Sequence, residues 1–372
     1  MPDTYDVIII GGGAIGCTTA YFLCNEGLDV AILDKNDLAR EASWASAGMI
    51  GPTSAPGIPW YLAATSLSKK LYDELDIRLY EETGRRIGYG GKGMLTIALS
   101  DAEAQLVRQE VASQSADGIP AHLLTGEEAK KQEPALPDNV IAAAWLSEGR
   151  YLDARAYTET VAIALQHKGV SVFPGQPVTG LLRDKDRIVG VRTANGQLQA
   201  RWVINAAGAW AGEIDPILKH PIHPLHGQIM ALSGPPCGLN HNIMRAGTWG
   251  YATPRTNGRI IIGATEDEWG YQKKITPDGL TLLGVITRNI LPCLNDCRVL
   301  DIWSGLRPAS PDGLPAIGPD PRVEDGFLWA AGHTASGMMQ APATAAVLTD
   351  LVLETQPRIP IDNVRIDRFL AS

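Results

Sequence analysis

Cysteine is scarce and badly spaced for any paired role. The chain has five, an odd count: Cys17, Cys24, Cys237, Cys293 and Cys297. No Cys-x-x-Cys pair occurs, which excludes a disulfide-reductase active site. Cys293-x-x-x-Cys297 has no second pair or neighbouring histidines, so a zinc site is not expected. All five are read as reduced thiols of a cytoplasmic protein. Positive charge is in deficit, 32 basic against 41 acidic residues for a net −9. A nucleic-acid surface needs a basic stripe, and none is visible. Internal repeats and low-complexity tracts are absent. Residues 7–25 carry no formal charge, yet three consecutive glycines, the acidic flanks Asp3 and Asp6 and the lack of a basic leader argue against a membrane span or a secretory signal.

What is present is ordinary globular composition, 45% hydrophobic and 20% charged over 372 residues, enough for two domains around a large core. The organising stretch is DVIIIGGGAIG at 6–16. Residues 7–10 are a β-branched run, the composition of a buried parallel strand. The run ends in Gly11-x-Gly13-x-x-Gly16. The first glycine permits a sharp turn, the second a close approach of backbone N–H groups to a pyrophosphate, and the third close packing of the next helix on the strand. That helix, predicted over 14–26 with Gly27 as its stop, points its positive end at the phosphates. A second strand over 30–33 ends at Asp34, whose carboxylate can accept a ribose hydroxyl and would repel a 2′-phosphate. Together these units predict a dinucleotide site.

Further along, 40–51 (REASWASAGMIG) is small enough to lie against a flat ligand. Residues 52–60 (PTSAPGIPW) form a loop placed to cover a pocket. Helices are predicted over 61–83, 101–115, 153–168, 278–290 and 337–354, and Thr125-Gly126-Glu127-Glu128 is a capping box opening another. Strands are predicted over 93–99, 142–146, 170–173, 178–182, 188–193, 198–205, 227–232, 251–254, 259–264, 302–308 and 327–331, with an Asn195-Gly196 hairpin. The closing strand–glycine–helix unit repeats the logic of the first. The C-terminus therefore returns to the nucleotide domain, with a β-rich domain inserted between its segments.

The segments IIIGGGAIG, ASAGMIG, GKGMLTIALS, INAAGAWAG, YATPRTNGRIIIGAT, WSGLRPASPDGLPAIG and AAGHTASGMMQAPAT resemble, in order and over nearly the whole chain, the D-amino-acid oxidase superfamily of flavoproteins, and within it the bacterial glycine oxidase branch. The resemblance implies an α/β, two-domain (α+β) fold: a Rossmann-like FAD-binding domain carrying the GxGxxG, and an interleaved β-sheet-rich substrate domain. Residues 1–86, 145–218 and 316–372 would form the first, and 87–144 and 219–315 the second. It implies non-covalent FAD, since none of Cys237, Cys293 and Cys297 lies in the GLRP stretch where a covalent link is expected. On the matching positions, Gly11, Gly13, Ala14, Ile15 and Gly16 would line the pyrophosphate, and Asp34 and Lys35 would sit at the adenosine ribose. Ala42, Ser43, Ala47, Gly48 and Met49 would border the flavin, with Ala207 and Gly208 approaching from a second strand. Val178 would present its backbone to adenine. Gly332, His333, Thr334, Ala335, Ser336, Gly337, Met338 and Met339 would run along the flavin's pyrimidine side.

For the chemistry, Arg307 is the first choice. Its planar fork fits a substrate carboxylate with two hydrogen bonds; the alternative is a structural pair with Asp301 or Asp312. Tyr251 matches the family tyrosine that bonds the same carboxylate; the alternative is a half-buried barrel tyrosine. His333 is read as a positioning residue before a general base. Arg245 and Trp249 either reshape the pocket or lie on an exposed loop. Ala335 stands where glycine oxidases usually carry a second arginine, which predicts a wider pocket and a bulkier or secondary amino acid as substrate. The expected reaction is oxidation of a small amino acid, with oxygen or another acceptor and no metal. A homo-oligomer is expected, with no membrane span and no nucleic acid. Open alternatives are a dehydrogenase of the same fold, a flavin domain of a tRNA-modifying enzyme and a non-catalytic flavin module.

Overall fold

The computed structural model describes residues 4–370 except Pro56 and 235–237, so Cys237 lies outside the described residues. Among the described residues, two eight-stranded sheets carry the fold. The first is ordered Ala316–Pro319, Phe327–Ala331, Gly196–Asn205, Thr4–Ile10, Val30–Leu33, Ser171–Phe173; off this path Arg187–Thr193 pairs antiparallel with Gly196–Asn205, and Val178–Asp184 pairs antiparallel with Arg187–Thr193. Its centre is parallel: Ile8 stands beside Val203 on one side and Ala31 on the other. Strands buried on both faces must be apolar throughout, which is why VIII and VAIL read as unbroken runs.

The helices Ala14–Asn25 and Gly337–Val352 pack together on one face of this sheet, with Pro59–Thr83 laid across the latter. Pro342 interrupts the hydrogen bonding of the Gly337–Val352 helix. Proline has no N–H to offer the carbonyl four residues back. That carbonyl, on Met338, instead accepts the Tyr72 hydroxyl at 2.6 Å, and the Ala343 N–H donates to Ser68 Oγ at 3.1 Å. Trp60 Nε1 donates to Gln340 Oε1 at 3.0 Å. The long helix is thus tied to the first turns of the last one, which face the cavity described below.

The second sheet runs Val299–Ala309, His223–Ser233, Arg259–Gly263, Tyr251–Pro254, Asn242–Arg245, Met94–Ala98, Ala142–Leu146, Ala121–Thr125. The Ala142–Leu146 strand belongs wholly to this sheet, although the sequence-based partition changes domain between residues 144 and 145. A two-stranded link, Met49–Ile50 with Arg150–Tyr151, lies outside both sheets and was not anticipated. Elsewhere the predicted elements appear within a few residues: the Asp153 side chain caps Ala154–His167 and the Thr125 capping box is formed. No helix among the described residues is long and apolar enough to cross a membrane.

Candidate functional site

The glycine loop is built as its sequence requires. Gly11 has φ +104°, and a Cβ there would stand 2.4 Å from the Ala206 carbonyl oxygen, so only glycine fits. Gly12 N–H donates to Asp34 Oδ2 at 2.7 Å and Ala14 N–H to Ser43 Oγ at 2.8 Å. The end of the second strand and the small-residue stretch therefore both brace the start of the first helix. Burial raises the Asp34 pKa, opposed by backbone N–H bonds from Asn36 and Gly12.

From this loop a cavity of about 1010 Å³ runs between the two sheets. Gly11, Gly13, Ala14, Ile15, Asp34, Lys35 and Val178 line one end; Ala42, Ser43, Ala47, Gly48, Met49, Ala207 and Gly208 line the middle. His333, Thr334, Ala335, Ser336, Gly337, Met338 and Met339 line a further wall, and Tyr251 and Arg307 the far end. Gly16 and Gly332 do not face the cavity. Gly16 packs on Gly11, where a Cβ would meet the Gly11 carbonyl oxygen, and Gly332 backs onto Ile222 and Ser310. Lys35 Nζ sits 2.9 Å above the Trp210 ring at the rim.

At the far end, Arg307 Nη1 donates to the Thr265 carbonyl at 3.2 Å. Neither acid considered for it is its partner: Asp301 lies beside Arg155 and Arg259, and Asp312 is bonded by Arg368. Among the described residues Arg307 has no carboxylate partner, and it faces the cavity. A cation so placed lacks a counter-anion, the arrangement that suits a ligand carboxylate. Tyr251 stands opposite Gly263 in register, with its ring laid over that glycine. Burial raises its pKa, and the charges of Arg307 and Arg255 oppose the rise.

His333 is fully enclosed, with Nε2 3.0 Å from Thr344 Oγ1. Burial lowers its pKa to about 3, so the ring is neutral near pH 7, and its carbonyl accepts both the Ser336 N–H and hydroxyl. This is a backbone-positioning arrangement. Arg245 lines the cavity with its charge committed to Glu103, Nη2 to Oε1 at 2.7 Å. Trp249 is 61% exposed at the mouth and donates Nε1–H to the Ala264 carbonyl at 2.6 Å. Ala335 is exposed on the lining.

Three features went unnoticed in the sequence. Arg255 is buried and bonds the carbonyls of Pro254 and Ala47; burial lowers its pKa to about 10. It thereby fixes the small-residue stretch that borders the cavity. Gly227 and Gly263 leave room for Arg307 and Tyr251. A glycine inside a strand is itself a signal of close approach, and it was available for both.

Comparison with known proteins agrees with this geometry. The family model described as FAD dependent oxidoreductase (DAO) matches residues 6–351. The glycine oxidase of Pseudomonas aeruginosa is 32% identical over 361 residues, 95% of this chain and 96% of that protein. Among solved structures, glycine oxidase from Geobacillus kaustophilus superposes with a TM-score of 0.91 at 27% identity, covering 98% of this chain and 99% of that one. L-proline dehydrogenase from P. horikoshii gives 0.86 at 26% identity, covering 100% and 99%. The chain belongs to the DAO family of FAD-dependent oxidoreductases. The residues present fit that cofactor: a helix N-terminus and glycine loop for the pyrophosphate, a carboxylate beyond them, and a small-residue wall for a flat ring. Among the described residues no cysteine lines the cavity.

Proposed function

We propose that this flavoenzyme oxidises the Cα–N bond of a small amino acid: glycine, sarcosine, a D-amino acid or a cyclic secondary amino acid. The observation that carries this reading is the cavity-facing Arg307 guanidinium without a carboxylate partner among the described residues. Arg307 would hold the substrate carboxylate, and Tyr251 would donate its hydroxyl hydrogen to the same group. FAD, when bound, supplies the acceptor for the hydride that leaves Cα. The substrate amine must first be neutral, so that its lone pair forms the C=N bond as the hydride departs. With His333 buried and neutral, the chain's contribution is orientation and exclusion of water, and no protein base is required. The imine product then hydrolyses to a 2-oxo acid and an amine or ammonia. Dioxygen is the proposed terminal acceptor, giving hydrogen peroxide. The likeness to L-proline dehydrogenase favours, as a second reading, electron transfer to a quinone or partner protein.

The test is anaerobic mixing of the yellow enzyme with glycine, sarcosine, proline and a set of D-amino acids, followed by admission of air. Bleaching by at least one of them supports the reading, and absence of any colour change with all of them contradicts it. Rapid recovery of colour in air identifies an oxidase, and slow recovery a dehydrogenase.

A further inference from the structure

The far end of the cavity holds an ionisable group that the reaction above leaves unused. Glu110 lies on the helix Asp101–Ala116 and faces the cavity among Met94, Leu106 and Met244. Thr96 Oγ1 donates to its Oε1 at 3.0 Å. The arginine on this wall, Arg245, is committed to Glu103 through Nε and Nη2 and to the Asn289 carbonyl through Nη1. Among the described residues no lysine or arginine pairs with Glu110. Burial raises its pKa, and the Thr96 bond opposes the rise. A carboxyl group half-buried among apolar side chains is costly unless paired, and the open side here is the cavity itself.

The sheet sets the backbone spacing between Tyr251 and Thr96, the residue that bonds Glu110. Tyr251 stands opposite Met244, and Met244 beside Thr96, on three neighbouring strands. Residues in register on adjacent strands share a face, and all three line the cavity. Two strand spacings separate Tyr251 from Thr96, about 9–10 Å. A molecule whose carboxylate sits at Arg307 and Tyr251 would have to extend past Met244 for its other end to reach the Thr96–Glu110 pair.

We infer that Glu110, held by Thr96, forms a second subsite that selects amino acids whose side chain ends in an ammonium or a comparable cationic donor. Glu110 is a specificity-determining residue, remote from the reacting Cα. The inference rests on the amino-acid reading of the Arg307 end, and the experiment separates the two.

The test titrates the FAD-loaded enzyme with hexanoate and with 6-aminohexanoate, followed by the flavin absorption band. Both carry a carboxylate, neither can be oxidised at Cα, and they differ only at the far end. A charged hydrogen-bonded pair predicts roughly 10-fold or tighter binding of 6-aminohexanoate. Anaerobic flavin reduction by lysine and norleucine, each in both hands, should show the same preference in kcat/KM. Glu110→Gln should abolish the preference in both assays while leaving hexanoate binding within about threefold, and Thr96→Val should weaken it. Equal binding of the two acids to the wild-type enzyme, or a preference that survives Glu110→Gln, overturns the subsite and leaves the Arg307 reading intact. If neither acid perturbs the flavin, the Arg307 reading fails and the subsite falls with it as a substrate selector.

Discussion

The guanidinium of Arg307 lies directly over Gly227 on the neighbouring strand: a Cβ at residue 227 would stand 2.3 Å from Nη1. Leu225 is the residue opposite Arg307 in the ladder, so the side chain crosses diagonally onto the glycine. The missing side chain is what lets the fork lie flat at the cavity wall. Gly227→Ala is therefore expected to push the guanidinium aside. KM should rise by about 10-fold or more, the loss expected when a charged hydrogen bond is misplaced, while the amount of bound FAD stays at the wild-type level. Steady-state kinetics and the flavin-to-protein absorbance ratio check both halves.

Asp34 closes the glycine loop by accepting the Gly12 and Asn36 N–H groups. Asp34→Ala leaves both donors without that carboxylate and removes the acceptor proposed for the adenosine ribose. FAD affinity is expected to fall by about 10- to 100-fold, the range for bonds to a charged group. Fluorescence of FAD released on dilution measures it.

Ala335 is small, exposed and on the cavity wall beside the last helix. Ala335→Arg fills that space with a second cation. Activity toward bulky or secondary amino acids is expected to fall relative to glycine. The ratio of kcat/KM should change by about 10-fold, the effect of one added charged hydrogen bond to the smaller substrate. A substrate panel on the purified variant reads the ratio. An unchanged ratio would contradict the assignment of this wall to the substrate side.

His333 makes stability depend on pH in a defined direction. Its folded pKa of about 3 lies below the ordinary 6.5 because burial disfavours the charged ring. Between these values the unfolded chain binds the proton and the folded chain does not. Stability is therefore lost as pH falls below about 6.5, at up to about 1.4 kcal/mol per pH unit from this one group. The loss continues toward pH 3. His333→Gln should flatten the dependence of Tm on pH between 6.5 and 5. It should leave the pH profile of kcat/KM above pH 6.5 in place, because the ring does not titrate there in the folded enzyme.

Much of the nucleotide half was legible because its signals are local. Strand, glycine turn, helix and terminal acid fall in one continuous segment, and Asp34 reaches back to Gly12 within it. The Arg307 end of the cavity was legible only in part. Arg307 stood out by its chemistry, yet its freedom from Asp301 and Asp312 depends on where Arg155, Arg259 and Arg368 lie, and no spacing encodes that. Glu110 was invisible for a plain reason. On a polar helix surface a glutamate reads as solvated, and only the pairing of Asn242–Arg245 with Met94–Ala98 brings its helix over the cavity. The strand predicted over 227–232 extends back through Pro224, which stands opposite Pro308 inside the longest pair of the second sheet. The Met49–Ile50 and Arg150–Tyr151 link is two residues on each side, too short for any alternation to show.

Whether Arg307 holds the substrate carboxylate is tested by stopped-flow reduction of the flavin by the preferred amino acid in the wild-type enzyme and in Arg307→Ala. The variant is expected to remain yellow with full FAD content, with half-saturation moved to amino-acid concentrations about 10- to 150-fold higher, the equivalent of about 1.5–3 kcal/mol for bonds to a charged group. Unchanged half-saturation would contradict it, since the carboxylate would then be held elsewhere.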